Sequence, residues 1–287
     1  MSVAAPSRSL RLASFAAMGL AALAPVAASL VSDGDRAPVR YVAAAANFSE
    51  TAPQPGFSGV LIASLAYDGT PEPPPTPIPT PTPVPRTLPA SPEGLRLWSD
   101  GDSTSYFMTV ALMAEWAARG GIPVRVPDYK ISSGLWRPDF FDWPAYIQAE
   151  MATYDPDVVV LMLGANDANQ ITSLDEYGAR VGRAMDLLRR EGRIVVWMGQ
   201  PNMGRADLAA TIPAVNRVFQ EQAATRPWVI YVDTWALTSW SDGTYAPALP
   251  DESGVEQALR GPDGVHFTTA GGRRLALGAL AALFATP

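Results

Sequence analysis

The stretch "LRLWSDGDSTSYFMTV", residues 95–110, joins two apolar segments through a run of small, mostly polar residues. Leu95–Ser99 has the length and apolar character of a buried strand, and Ser105–Arg119 has the apolar spacing of a helix. A turn between a strand and a helix needs fewer polar groups than residues 100–105 supply. The stretch therefore predicts a β–α unit and raises the question of whether one of its hydroxyls is a nucleophile.

The same alternation of strand-length and helix-length patterns continues to the C-terminus. The predicted strands are Leu95–Ser99, Val124–Ile131, Val158–Leu163, Ile194–Met198 and Val229–Val232. The predicted helices are Ser105–Arg119, Trp143–Thr153, Ser173–Glu191, Asp207–Ala224 and Thr269–Phe284. Near-continuous apolar runs such as "DVVVLMLG" indicate strands that are buried on both faces, which is typical of a parallel sheet between helices. We therefore predict one three-layer α/β/α domain over residues 93–287, with a central parallel five-stranded sheet.

The composition limits the chemistry that the chain can perform. Hydrophobic residues make up 48% of the 287 residues and charged residues 17%, which fits a domain with a large core. The formal net charge is −7 without a basic block, and this argues against nucleic acid as a partner. There is no cysteine and a single histidine, His266. Disulfides, cysteine nucleophiles and zinc sites built on several histidines are therefore excluded.

The N-terminal 31 residues have the organisation of an export segment. Arg8 and Arg11 precede an apolar run from Leu12 to Val31, with small residues around Ala27. A basic start, an apolar stretch and small residues are typical of a secretory signal, and the run is also long enough to span a bilayer. We expect export, with residues 1–31 either cleaved or retained as a membrane anchor, and the rest of the chain outside the cytoplasm.

Two segments between the export segment and the domain lack a domain pattern. Residues 32–68 show no regular periodicity and are predicted to be flexible. Residues 69–92 include "PEPPPTPIPTPTPVPRTLP" and are predicted to form a Pro/Thr-rich linker. Proline fixes φ and removes a donor, so this linker should be an extended spacer. A tether without a binding role is the favoured interpretation, and a proline-motif ligand is the alternative.

Polar and glycine-rich groups follow the predicted strands. Ligands of a parallel α/β sheet bind outside the carboxyl ends of its strands, so these groups are the candidates for a site. They are residues 100–105, 132–134, 164–169 and 199–204, together with 263–272 before the last helix. The only histidine of the chain lies in the last of them.

These groups contain the parts that serine hydrolysis requires. The chemistry needs a hydroxyl, an imidazole that accepts its proton, an acid that orients the imidazole, and donors to the developing oxyanion. Ser103 opens a predicted helix, His266 is the only imidazole, and Asp263 lies three residues before it. Gly134 and Asn166 could donate a backbone N–H and a side-chain amide. Singly, Ser103 could be a helix cap and Asn166 a turn residue, and it is the combination that indicates a site.

Three sequence blocks resemble those of a known family. "GDSTS" at 101–105, "GAND" at 164–167 and "DGVH" at 263–266 are similar to the GDS, GxND and DxxH blocks of the SGNH (GDSL-type) esterases and lipases. The order agrees, and Gly134 in "ISSGLWRPDF" fits the glycine block of the family. The resemblance covers residues 95–275, and "SSGLWRPDFFDWP" is similar to a bacterial exported subgroup.

The resemblance implies a fold and a set of roles. The implied fold is a flavodoxin-like three-layer α/β/α sandwich, and no metal or organic cofactor is implied. The implied catalytic residues are Ser103 as nucleophile, His266 as base and Asp263 as the orienting acid. The implied oxyanion hole consists of the Ser103 amide, the Gly134 amide and the Asn166 side chain.

We therefore expect an exported serine esterase that cleaves short-chain acyl esters, with O-acetyl groups on cell-surface glycans as candidate substrates. An O-acyltransferase with the same triad and a cell-envelope glycan as acceptor remains an alternative. A non-catalytic glycan-binding module is less favoured, because Ser103, Asp263 and His266 are all present. The expected partners are the acyl ester and its glycan, with membrane contact only through the N-terminal segment.

Overall fold

The computed structural model describes residues 88–284 of the chain. The predicted export segment 1–31, the region 32–68 and most of the linker 69–92 lie outside the described residues. Among the described residues, no helix combines the length and the apolar character needed to cross a membrane.

A sheet of five parallel strands forms the centre of the domain, in the order β2-β1-β3-β4-β5. The strands are β1 Arg96–Gly101, β2 Ile122–Pro123, β3 Val158–Met162, β4 Ile194–Met198 and β5 Val229–Val232. In the register of the sheet, Leu97 lies opposite Val158, and Val158 lies opposite Ile194. Because the strand order reverses between β1 and β3, the ends of these two strands form the switch point at which such sheets bind ligands.

Helices cover both faces of the sheet, which confirms the predicted three-layer fold. The helices are α1 Tyr106–Ala118, α2 Trp143–Tyr154, α3 Leu174–Leu187, α4 Ala206–Ala224, α5 Thr234–Thr238 and α6 Thr269–Phe284. Val158, Val160 and Met162 of β3 pack with α1 and α6 on one face. Val159 and Leu161 pack with α2, α3 and α4 on the other. Successive side chains of a strand point to opposite faces of the sheet. Because helices cover both faces, every residue of β3 is apolar.

The predicted strand Val124–Ile131 was wrong, because only Ile122–Pro123 pairs as a regular strand. Pro127 cannot donate to a sheet ladder, and the Arg125 guanidinium turns inward to the Asp100 carboxylate at 3.1 Å. The segment returns to the sheet only at Lys130, whose N–H donates to the Gly101 carbonyl at 2.8 Å. This contact brings the residues that follow Lys130 beside the end of β1.

Two short features were not predicted. One is α5, a helix of only five residues. The other is the antiparallel pair of β6 Ala248–Pro250 and β7 Glu256–Ala258. Segments this short carry too few residues for a periodic pattern to show in the sequence. The pair matters for the site, since β7 leads directly into the segment that carries His266.

Candidate active site

Ser103 begins a 3-10 turn, Ser103–Ser105, immediately after β1. The neighbouring hydroxyls are used inside the turn: Thr104 Oγ1 donates to Asp102 Oδ1 at 2.6 Å, and Ser105 Oγ donates to the Asp102 carbonyl at 2.8 Å. Ser103 is only partly buried, whereas Thr104 and Ser105 are buried. The polar residues after β1 thus have two uses. Asp102, Thr104 and Ser105 stabilise the turn, and the Ser103 hydroxyl faces His266.

Ser103, His266 and Asp263 form a hydrogen-bonded series. His266 Nε2 lies 3.0 Å from Ser103 Oγ, and His266 Nδ1 lies 2.6 Å from Asp263 Oδ2. An ionised carboxylate can only accept, so Nδ1 must carry the ring proton, and Nε2 is left to accept the hydroxyl proton of Ser103. This is the arrangement in which an imidazole acts as a general base toward a serine.

The surroundings of Asp263 keep its carboxylate ionised. Burial by itself would raise the pKa of Asp263, but the His266 ring and the Val265 and His266 N–H groups donate to the carboxylate, and the net effect lowers its pKa. Hydrogen bonds to the charged form favour that form. The carboxylate is therefore available to stabilise an imidazolium while His266 holds a proton.

Gly134 and Asn166 lie in two adjoining loops at the end of the sheet. Asn166 Nδ2 donates to the Ser133 carbonyl at 3.0 Å, which links the two loops. An amide group has two hydrogens, so this bond fixes its orientation and leaves one hydrogen for a ligand. Within residues 88–284 the Gly134 N–H has no hydrogen-bond acceptor, as expected of a donor that awaits a ligand.

Asp167 holds the Gly134 loop in place. Its carboxylate accepts from the Leu135 N–H, the Trp136 N–H and the Tyr177 hydroxyl, each at 2.9 Å. A Cβ on Gly134 would lie 2.0 Å from Asp167 Oδ1, so only glycine permits this approach. Burial raises the pKa of Asp167, although the bonds from Trp136 and Leu135 oppose this effect. The carboxylate is thus placed to orient the backbone on which the Gly134 N–H lies.

Asp102 joins the turn that carries Ser103 to the loop that carries Asn166. Its carboxylate is fully buried and accepts from the Thr104 N–H at 2.9 Å and from the Gly164 and Ala165 N–H groups at 3.2 Å. Burial raises the pKa of Asp102, and the bonds from Thr104 and Gly164 oppose it. Sequence reasoning assigned no role to Asp102, although its place inside the GDS block was a usable signal.

The structure thus places Ser103, His266 and Asp263 in one hydrogen-bonded series and links the Asn166 side chain to the loop of Gly134. In the part of the chain that the structure describes, no cluster of three or more carboxylates or histidines could hold a metal ion.

Two solved structures have a similar fold. LAE5, described as an alpha/beta hydrolase from the metagenome of Lake Arreo in Spain, is 17% identical with a TM-score of 0.51, over 67% of this chain and 95% of that chain. Axe2, an acetylxylan esterase from Geobacillus stearothermophilus solved as a catalytic mutant, is 20% identical with a TM-score of 0.50, over 67% and 94% of the two chains. At these identities the likeness establishes the fold alone. That fold is the three-layer α/β/α arrangement described above.

Residues 96–282 match the family model described as "Protein of unknown function (DUF459)". The chain belongs to this family, and the match runs from β1 into α6, so it includes every residue of the candidate site. No curated protein matches the sequence.

Replacing Asp167 by Asn should disturb the Gly134 loop without changing Ser103, His266 or Asp263. The amide would set an NH₂ donor against at least one of the donors that now point at the carboxylate, so the Gly134 N–H should shift. A displacement of this kind can cost about 10²-fold in turnover. The measurement is kcat on a p-nitrophenyl ester, with thermal unfolding recorded in parallel. Asp175→Asn, an exposed change in the first turn of α3, is the control. Wild-type kcat in Asp167→Asn would contradict the assignment.

The lowered pKa of Asp263 predicts how pH affects stability. A carboxylate whose folded-state pKa is depressed stabilises the fold above its unfolded pKa, and this contribution is lost as pH falls through the folded value. The free energy of unfolding of the wild type should therefore exceed that of Asp263→Asn at about pH 5, and the difference should shrink toward about pH 2. Urea unfolding of both proteins across this range measures it. If the difference in the free energy of unfolding between the two proteins stays constant with pH, the ionised Asp263 carboxylate does not stabilise the fold.

Proposed function

We propose that this chain is an exported serine esterase that hydrolyses short-chain acyl esters, with O-acetyl groups on cell-surface glycans as its natural substrates. The observation that carries the proposal is the series from Ser103 Oγ to His266 Nε2, 3.0 Å, and from His266 Nδ1 to Asp263 Oδ2, 2.6 Å. Donors to an oxyanion lie on loops that are hydrogen-bonded to the nucleophile turn and to one another.

In the first step, Ser103 Oγ attacks the ester carbonyl carbon while its proton passes to His266 Nε2. The carbonyl oxygen becomes an oxyanion, which accepts from the Ser103 N–H, the Gly134 N–H and Asn166 Nδ2. The Ser103 N–H is the first of its turn and so has no acceptor within the turn. Asp263 stabilises the imidazolium. Collapse of the intermediate breaks the bond to the alcohol oxygen, which takes the proton from His266 and leaves an acyl-serine.

In the second step, water replaces the alcohol. His266 Nε2 accepts a proton from the water as its oxygen attacks the acyl carbon, and the same donors bind the second oxyanion. Collapse releases the carboxylic acid and returns the proton to Ser103 Oγ. If a glycan hydroxyl attacked instead of water, the same residues would transfer the acyl group, and the products distinguish the two reactions.

The substrate class rests on the sequence and on one relative of similar fold. The N-terminal segment predicts export, which would place the domain where envelope glycans that carry acyl groups are accessible. Axe2, of the same fold, is described as an acetylxylan esterase. An O-acetylated polysaccharide is therefore the first natural substrate to test.

Ser103→Ala should abolish hydrolysis of p-nitrophenyl acetate, because the variant lacks the hydroxyl that lies 3.0 Å from His266 Nε2 and would form the acyl-enzyme. The full chain is assayed beside the variant and beside Ser241→Ala, an exposed serine that serves as control. Equal rates in wild type and Ser103→Ala would refute the proposal. Acetate release from an acetylated glycan, measured with and without an added deacetylated acceptor, then separates hydrolysis from transfer.

Asn166→Ala should lower kcat by about 10²–10³-fold with little effect on KM, since the lost donor acts on the charge that develops in the transition state. The matched control is Asn169→Ala on the same loop, where the side chain Nδ2 donates to Asp207 at 2.8 Å. If Asn166→Ala and Asn169→Ala have the same kcat as wild type, Asn166 does not belong to the oxyanion hole.

A further inference from the structure

A buried arginine contacts the segments on both sides of His266. Arg260 is 6% exposed. Its Nη1 donates to the Val265 carbonyl at 2.7 Å, and its guanidinium carbon lies 3.6 Å from the centre of the Phe267 ring. Val265 and Phe267 are the immediate neighbours of His266. The arginine therefore contacts the backbone directly before His266 and the side chain directly after it.

The same guanidinium ties the histidine segment to a different loop. Arg260 Nη2 donates to the Asn202 carbonyl at 2.8 Å, in the loop that follows β4. In the same loop, the Gly204 N–H donates to the Gly264 carbonyl at 2.8 Å. The hydrogen bonds that Asp263 accepts from the Val265 and His266 N–H groups, by contrast, are local to the segment. Arg260 thus supplies a connection that Asp263 does not, between the histidine segment and the loop after β4.

Burial of this guanidinium is costly. Within residues 88–284 no carboxylate forms an ion pair with Arg260, and its Nε has no hydrogen-bond partner. Burial lowers the pKa of Arg260 to about 9, against the opposing influence of Tyr245 and Asp263. An apolar side chain of similar size would avoid this desolvation. The contacts to Val265, Asn202 and Phe267 are what distinguishes arginine from such a side chain.

From these contacts we propose that Arg260 is a positioning residue for the base: its guanidinium holds the His266 segment so that Nδ1 meets Asp263 and Nε2 meets Ser103. The role rests on the proposed function, because it matters for turnover only if His266 is the base. The positioning itself is a property of the resting protein and can be measured without a substrate.

Arg274 provides a matched control. Its Nε donates to the Leu237 carbonyl at 2.5 Å and its Nη1 to the Pro250 carbonyl at 2.9 Å, so it too bridges two backbone carbonyls. Neither Leu237 nor Pro250 borders the candidate site. Replacing either arginine by methionine removes hydrogen bonds to two backbone carbonyls. Arg260 is buried and also lies against the Phe267 ring, whereas Arg274 is partly exposed.

The test uses the nitrogen resonances of His266, the only histidine of the chain. In ¹⁵N-histidine-labelled full chain at about pH 8, where an ordinary imidazole is neutral, the two ring nitrogens report which one carries the proton. Wild type and Arg274→Met should both show the Nδ1–H form. Arg260→Met should show a mixture of the two forms, because the bond to Asp263 is no longer enforced. On p-nitrophenyl acetate its kcat should fall by about 10²-fold with KM unchanged.

Arg260→Lys serves as the second variant and also replaces Arg260→Met if the latter does not fold. Lysine keeps the charge but cannot hold both carbonyls as a planar fork does, so we expect intermediate nitrogen shifts and an intermediate kcat. Wild-type nitrogen shifts and kcat in the folded Arg260 variant would overturn the proposal, as would equal losses in Arg260→Met and Arg274→Met. If the wild type proves inactive on esters, the nitrogen shifts still decide the positioning role separately from the proposed function.

Discussion

The buried carboxylate of Asp102 is the interaction on which the site depends. It accepts from Thr104 on its own turn and from Gly164 and Ala165 at the end of the neighbouring strand. A buried carboxylate without partners is costly, so these donors are held in a narrow range of positions. The result is that the turn carrying Ser103 and the loop carrying Asn166 have one relative placement, which a turn held only by apolar contacts would not define as closely.

Buried charged groups recur at each junction around the site. Asp167 connects the Gly134 loop with Tyr177 of α3, and Arg260 connects the histidine segment with the loop after β4. The loops themselves contain many small and polar residues and little apolar surface to bury. Hydrogen bonds are directional, whereas apolar contacts are not. They therefore provide the precision in the loops that the packed core provides for the sheet.

Much of the architecture could be predicted because its signals are long and local. Four of the five strands and all the long helices follow from apolar runs and periodicity, with differences of a few residues at their ends. The strand predicted at Val124–Ile131 failed because residues in it are drawn to tertiary partners, above all Arg125 to Asp100. The β6–β7 pair was missed because three-residue strands have no periodicity. Arg260 lies outside the three sequence blocks, and nothing in its local sequence indicates that it is buried.

The sequence by itself determined the class of fold and the residue types available for chemistry, since apolar alternation and a single histidine are visible without any contact. Only the tertiary structure decided the distances from Ser103 to His266 and from His266 to Asp263, and the burial of Asp102, Asp167 and Arg260. Ser103 and His266 are 163 positions apart. Their meeting depends on the strand order, on the loops after β1 and β3, and on the segment after β7. These are non-local contacts, and a pattern read along the chain cannot contain them.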